Sequence, residues 1–110
     1  MAEKIVTYEE FSKMDLRIGK IANAEPVQGS RNLVKMLIDI GDESRQAVAS
    51  IAQYYNPKDL EGKSVAVIAN LQPRKMFGLE SNVMILAAED DKTVSILLPD
   101  RPVKTGSKIK

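Results

Sequence analysis

The side chains best suited to chemistry in this chain lie around a basic turn, Pro73, Arg74 and Lys75, which Ser81 follows six residues later. Arginine and lysine are the side chains that bind phosphate groups. Residues 62–79 contain three cations and no acid. The chain has no histidine and no cysteine, which excludes Ser-His-Asp and Cys-His catalysis and thiolate or imidazole zinc sites. The pattern predicts an anion-binding surface on a protein that is not an enzyme and has no cofactor or metal site.

The composition predicts one small domain, residues 1–110, in the cytoplasm. Sixteen basic and fifteen acidic residues give a formal net charge of +1, so a nucleic-acid site requires the positive charge to collect on one face. No apolar run approaches the roughly 20 residues that a membrane span needs, and the N-terminus lacks the apolar region of a signal peptide. We therefore expect no membrane contact, and the absence of cysteine is compatible with a reducing cytosol.

Apolar periodicity and turn residues predict an all-β domain with short helices. Thr7 followed by Glu10 forms a capping box for a helix over residues 8–13. Asn56 and Pro57 begin a second short helix, which Gly62 ends. Gly19 interrupts the first strand, which suggests a bulge or a bend. The alternating or apolar runs predict strands over residues 16–21, 34–40, 45–51, 64–71, 84–88 and 94–98.

The order of the elements is that of a five-stranded OB-fold barrel, in which a helix lies between the third and fourth strands. An SH3-like barrel has no comparable helix in that gap. Two segments fall outside the barrel, the helical region 1–14 and residues 94–110. Ile96, Leu98, Val103 and Ile109 make the second segment more apolar than a solvent-facing appendage should be. We predict that residues 94–110 form a two-fold dimer contact.

Several segments together resemble the tRNA-binding domain that is appended to methionyl-tRNA synthetase and also occurs as a free dimeric protein. They are residues 15–21, 45–52, 69–75 and 98–103, together with Ser81 and Met84. The resemblance covers nearly the whole chain, and we expect a stand-alone protein. It implies non-catalytic binding of tRNA, a second copy of the chain as partner, methionyl-tRNA synthetase as a further candidate partner, and no DNA.

The candidate RNA-binding residues combine this resemblance with strand alternation. Arg17 and Lys35 lie opposite the apolar faces of their strands, and Arg74 and Lys75 lie in the basic turn. Arg45, Asn70 and Ser81 offer hydrogen bonds, and Ser81 and Met84 match the serine and methionine of the family's fifth strand. Because aromatic residues are few, we expect weak base stacking and recognition of shape and phosphate with little sequence specificity.

Val83 keeps a second interpretation open. The family usually has glycine at this position, where the RNA backbone could approach closely, and a valine would fill that space. CsaA-type secretion chaperones resemble this chain in having an aliphatic residue there, and share the fold and the dimer. The alternatives are therefore a chaperone that binds unfolded peptides in the same groove, or a subunit that tethers tRNA to methionyl-tRNA synthetase.

Overall fold

The computed structural model describes residues 4–110 and begins with a short capped helix. Helix α1 spans Tyr8–Ser12. The hydroxyl of Thr7 accepts a hydrogen bond from the Glu10 amide at 3.1 Å, and the Glu10 carboxylate accepts one from the Thr7 amide at 3.2 Å. The predicted capping box is therefore confirmed, and the helix ends one residue earlier than expected.

The strands are β1 Leu16–Pro26, β2 Val34–Asp39, β3 Ser44–Ala49, β4 Ser64–Ile68, β5 Arg74–Met76, β6 Leu79–Ser81, β7 Met84–Ile85, β8 Ala87–Glu89 and β9 Val94–Ile96. Five of them form a nearly closed antiparallel barrel in the order β3-β2-β1-β4-β7, and two short hairpins, β5-β6 and β8-β9, project from it. Helix α2, Pro57–Leu60, lies between β3 and β4. This confirms the OB-like fold.

Alternating side chains of the strands fill the barrel. In β2 and just beyond it, Val34, Met36, Ile38 and Ile40 are fully buried, as their period of two predicts. Leu60 of α2 is buried as well, so this helix closes one end of the barrel. Each such aliphatic side chain contributes about 1.5–3 kcal/mol by leaving water.

Gly19 does not form a bulge, which was one of the two predicted features, a bulge or a bend. It pairs regularly with Val65, and the irregularity in β1 lies further on, between Ile21 and Asn23. A Cβ atom at position 19 would lie 2.8 Å from Cγ2 of Ile38. Glycine is therefore required here because strand β2 packs too closely for any side chain.

The strands around the basic turn are shorter and more numerous than predicted. The strand expected over residues 64–71 ends at Ile68, and the one over residues 84–88 is divided into β7 and β8. Arg74 and Lys75 lie in strand β5, which a two-residue turn connects to β6. Phe77 and Gly78 of that turn have positive φ values of 55° and 79°, as a type I′ hairpin turn requires. The basic segment is therefore one arm of a β-hairpin.

The C-terminal residues lie along the free edge of the first part of β1. The amide of Gly106 donates to the carbonyl of Ile18 at 2.7 Å, and the amide of Ile109 donates to the carbonyl of Leu16 at 2.8 Å. Ile96 is buried in the core, whereas Leu98 and Val103 remain exposed. Part of the predicted dimer segment thus completes the fold of its own chain.

Candidate nucleic-acid interface

The β5-β6 hairpin is anchored on the outer side of the barrel. Met76 and Leu79 lie opposite each other in the hairpin and pack against the small buried cluster of Val27, Leu33 and Val48. The side-chain amide of Gln46 in β3 also donates to the backbone carbonyl of Glu80 at 2.8 Å. The hairpin is therefore a fixed wall and not a loose loop.

Beneath this wall runs a shallow groove on the outer face of β1, β2 and β3. The register of the strands places Asn23, Leu37 and Gln46 in one row and Glu25 and Lys35 in the next. The Lys35 ammonium lies 2.9 Å from the Glu25 carboxylate. We name this surface, bounded by the loop of residues 27–33 and by the hairpin, the outer groove.

A second depression, which we name the seam pocket, lies where β3 and β7 fail to pair directly. It has a volume of about 460 Å³ and is lined by Leu71, Gln72, Arg74, Met76 and Met84, with the edge of β3 as its floor. Leu71 and Met84 are both more than two-fifths exposed. The pocket thus offers mainly apolar walls, one cation, Arg74, and one carboxylate, Glu89.

Arg74 and Lys75 differ in their surroundings although they are adjacent. Within residues 4–110, neither has a carboxylate within 4 Å of its charged group. Arg74 pairs with Ser81 across the hairpin and lines the seam pocket, whereas Lys75 pairs with Glu80 on the opposite face. Arg74 is therefore the better placed to bind an anion in the pocket.

Arg17 is held by acidic residues at one end of the barrel. Its guanidinium contacts the carboxylates of Asp15 at 2.8 Å and Asp42 at 3.0 Å, and it donates to the carbonyl of Ile40 at 2.9 Å. The hydrogen bond from Arg17 lowers the pKa of Asp15 and raises the pKa of Arg17 itself. Arg17 therefore joins distant segments and is not directed toward the outer groove.

Arg45 occupies the same end of the barrel. It contacts the carboxylate of Glu43 at 3.0 Å and donates to the carbonyl of Ala69. Its register partner is the buried Ile38, so it lies on the opposite face of the sheet from Lys35. Arg45 lines a shallow depression that shares Leu71 with the seam pocket. The structure thus separates the five predicted strand and turn cations into two groups, with Arg17 and Arg45 at this end of the barrel and the other three elsewhere.

Asn70 uses both ends of its amide within the protein. Its oxygen accepts from the amide of Asp15 at 2.8 Å, and its nitrogen donates to the carbonyl of Lys13 at 2.7 Å. The residue therefore joins the end of β4 to the segment between α1 and β1. Its contribution to the site is to hold these segments in place.

Ser81 ties the hairpin to the barrel. Its hydroxyl accepts from the amide of Val48 at 3.0 Å and donates to the carbonyl of Val83 at 3.2 Å. The side chain of Val83 is buried in the main core, and the residue also lines the seam pocket. The expectation that it fills space beside the RNA stays a prediction. Met84, the next residue, is exposed in the seam pocket.

Sequence reasoning missed three surface residues that border the site: Leu71, Gln72 and Phe77. The first two line the seam pocket, and the ring of Phe77 lies at the tip of the hairpin. The hairpin that carries Phe77 could have been found from the pair Phe77-Gly78, which stands between the short segments 74–76 and 79–81. A glycine at the second position of a two-residue turn is typical of hairpins.

The described part of the chain contains no cluster of three acidic side chains arranged to hold a metal ion. Within residues 4–110, no helix is long and apolar enough to cross a membrane.

Comparison with known proteins identifies a family and several similar proteins. Residues 16–108 match the family model described as "Putative tRNA binding domain". The chain is 54% identical over 106 residues to a methionine–tRNA ligase of Methanoculleus marisnigri; the match covers 96% of this chain and 16% of that protein. The chain thus spans about a sixth of the length of the curated relatives that it matches.

Two solved structures are similar over almost the whole chain. A MetRS related protein from Pyrococcus horikoshii has a TM-score of 0.92 and 30% identity, with coverage of 98% of this chain and 100% of that one. The chaperone CsaA from Bacillus anthracis has a TM-score of 0.87 and 30% identity, with coverage of 97% and 100%. With the fold, the basic hairpin and these matches together, the chain belongs to the family of tRNA-binding domains, which are non-catalytic binding modules.

Proposed function

We propose that this protein binds tRNA through the seam pocket and the outer groove, with the β5-β6 hairpin between them, and that it is not itself an enzyme. The observation that carries the proposal is Arg74, an exposed cation without an ion pair among residues 4–110, at a pocket whose walls are mainly apolar. The one acidic residue of the pocket lining, Glu89, forms no ion pair with it. An unpaired cation next to an apolar surface suits a ligand with phosphates and bases.

The eight predicted residues contribute to this proposal in two ways. Arg74 and Met84 line the seam pocket, Lys35 lines the outer groove, and Lys75 lies on the other face of the hairpin between them. The other four, which bond to protein groups, keep those surfaces in shape: Arg17, Arg45, Asn70 and Ser81. Recognition then depends mainly on the shape and phosphates of tRNA, with little discrimination between tRNA species.

The experiment is a titration of tRNA at several salt concentrations. Each phosphate contact adds about 0.7–0.9 to the slope of log affinity against log salt. Arg74→Ala should weaken binding to all tRNAs alike and reduce this slope by about 1. Lys75→Ala should have a smaller effect because Glu80 lies opposite it in the hairpin.

Lys58→Ala is the control, since Lys58 is an exposed cation of α2 that lines none of these surfaces and lies outside both terminal segments. It should leave both the affinity and the slope unchanged. An Arg74→Ala protein that is folded and binds with the wild-type slope would contradict the proposed site. A wild-type protein that does not bind tRNA at low salt would contradict the proposed function.

A second candidate function is binding of unfolded peptides. It is favoured by the similarity to the chaperone CsaA and by the apolar side chains of Leu71, Met76 and Met84 in the seam pocket. A peptide held by these side chains would bind with little dependence on salt. Titration of an unfolded polypeptide beside tRNA therefore distinguishes the two functions.

We also propose a two-fold homodimer. Large apolar side chains are exposed on both terminal segments: Ile5, Val6 and Tyr8 near the first, and Leu98 and Val103 near the second. Such surfaces are normally covered by a partner. Leu98→Asp should reduce the mass measured by light scattering from twice 12.2 kDa to the monomer value. A wild-type protein that is monomeric at micromolar concentration would contradict the dimer.

Association with methionyl-tRNA synthetase and a cytoplasmic location complete the proposal. Both are supported by the methionine–tRNA ligases among the relatives. Co-purification of the synthetase with the tagged protein, with and without ribonuclease, tests whether the contact is direct or passes through tRNA.

A further inference from the structure

Phe77 presents an aromatic ring to solvent at the tip of the β5-β6 hairpin. The residue is 62% exposed. One edge of its ring rests on the loop of residues 27–33, where a Cβ atom on Gly29 would lie 3.4 Å from two ring carbons. The loop thus supports the ring from one side and leaves most of it open.

Neither the fold nor the turn accounts for phenylalanine at this position. Among residues 4–110, Phe77 is the one non-glycine residue with a positive φ. Asparagine, aspartate or glycine adopt this conformation at lower cost. A large ring also loses the benefit of burial when it is exposed. A strained and exposed aromatic side chain indicates that the ring has a ligand.

The surroundings of the ring define the chemistry of that ligand. Phe77 and Lys35 line one depression of about 500 Å³ at the end of the outer groove. The rest of its lining is Glu25, Gln28 and the apolar residues Pro26, Val27 and Leu79. Lys75 and Arg74 precede Phe77 in the hairpin. An open aromatic face near Lys35, whose ammonium pairs with Glu25, and next to the basic strand of the hairpin is suited to a nucleobase with its flanking phosphates.

We propose that Phe77 stacks on one unpaired nucleobase of the bound RNA, while Lys35 and Lys75 contact the neighbouring phosphates. This inference rests on the proposed tRNA binding and adds a requirement to it. A base within a duplex has both faces covered, so the ring can only meet a base in a loop or at an end. The bound part of the tRNA must therefore include a single-stranded nucleotide.

The chain contains no tryptophan, so Phe77→Trp provides a single fluorescent reporter at the proposed contact. Stacking of a base on the indole quenches its emission. Titration with tRNA should quench the fluorescence with the same midpoint as binding measured by anisotropy of labelled tRNA. A short single-stranded RNA should also quench, whereas a chain of abasic sugar-phosphates should bind without quenching.

Phe77→Leu measures the contribution of the ring, because leucine keeps an apolar Cβ-bearing side chain and the same backbone strain. From the usual strength of base stacking, tRNA affinity should fall about five- to 100-fold. The salt slope should stay constant, since no charge is removed. Tyr54→Ala removes an exposed aromatic residue that lines none of these surfaces and is the matched control.

The outcomes separate this inference from the proposed function. If the wild-type protein binds tRNA, but Phe77→Leu binds equally well or the tryptophan is not quenched at saturation, the stacking contact is wrong and tRNA binding stands. If the tryptophan responds to unfolded peptide and not to RNA, or if the wild-type protein binds no tRNA, the inference is overturned. Loss of folding in Phe77→Leu would be seen by circular dichroism, and the tryptophan titration would then decide.

Discussion

Replacing Ser81 by alanine tests whether the hydroxyl of this residue, which lies at the end of β6, contacts RNA or stabilises the barrel. In the structure its hydroxyl bridges β3 and the connection between β6 and β7, accepting from the amide of Val48 and donating to the carbonyl of Val83. These bonds cross the seam where β3 and β7 do not pair. The substitution should therefore act on stability before it acts on binding.

The structure sets the size of the effect. Val48 is only 6% exposed, so its amide would lose its partner in a poorly solvated place. An unsatisfied buried donor costs about 1–3 kcal/mol. For a domain of this size each kcal/mol lowers Tm by about 4–8 °C. We thus expect Ser81→Ala to melt at least about 4 °C below the wild type.

Binding should change little at 25 °C. A domain with about 5–15 kcal/mol of stability remains almost fully folded after a loss of this size, and no charge has been removed. The affinity for tRNA should therefore stay within about twofold, with the salt slope unchanged. Thermal melting by circular dichroism and anisotropy of labelled tRNA measure the two quantities on the same preparation.

Ser50→Ala is the control for this experiment. Ser50 also lines the seam pocket, but its hydroxyl is exposed and forms no hydrogen bond with any group in residues 4–110. It should leave Tm unchanged. A Ser81→Ala protein with the wild-type Tm and a large loss of affinity would show that the hydroxyl contacts RNA, and would refute the structural role.

Three further substitutions test the parts of the fold that position the site. Asn70→Ala removes two hydrogen bonds and should cost about 1–3 kcal/mol in urea unfolding. Arg17→Gln should lower stability most above about pH 4, because Arg17 lowers the pKa of Asp15 in the folded state and this stabilisation is lost as the carboxylate is protonated. The urea midpoints of wild type and variant at pH 7 and pH 3 measure the effect, and a difference between the two proteins that is the same at both pH values would refute it. Gly19→Ala should cost about 1–3 kcal/mol, since its Cβ would lie 2.8 Å from Ile38, and an unchanged urea midpoint would contradict this packing.

Local patterns were sufficient to predict most of the barrel. The alternation in β2 identified its buried face, and the caps at Thr7 and Asn56 located both helices. These signals depend only on residues a few positions apart, which is why they can be read from the chain. The β5-β6 hairpin was missed because strands of three residues are too short to show a period.

The partners of the charged residues could not be predicted in the same way. Arg17 alternates with apolar residues and therefore looks like a free surface cation. Asp42, one of its partners, is 25 residues away in the chain, and only the fold brings the Asp42 carboxylate to 3.0 Å from the Arg17 guanidinium. The same holds for Asn70, which bonds to residues 55 and 57 positions earlier. Charge at one position therefore did not reveal whether that charge was available to a ligand.

The residues of the candidate site are therefore of two kinds, those that bond within the protein and those that remain open to a ligand. The side chains of Ser81 and Asn70 form their hydrogen bonds with groups of the protein itself. Arg74 lines the seam pocket without an ion pair in residues 4–110, and the ring of Phe77 is mostly exposed. A residue of the first kind influences RNA binding only through the shape of the groove, so its loss should appear in Tm and leave the salt slope intact. A residue of the second kind should show the reverse, with affinity lost and Tm retained. Measuring both quantities for each variant assigns every residue of the site to one kind or the other, because the two effects have separate physical origins.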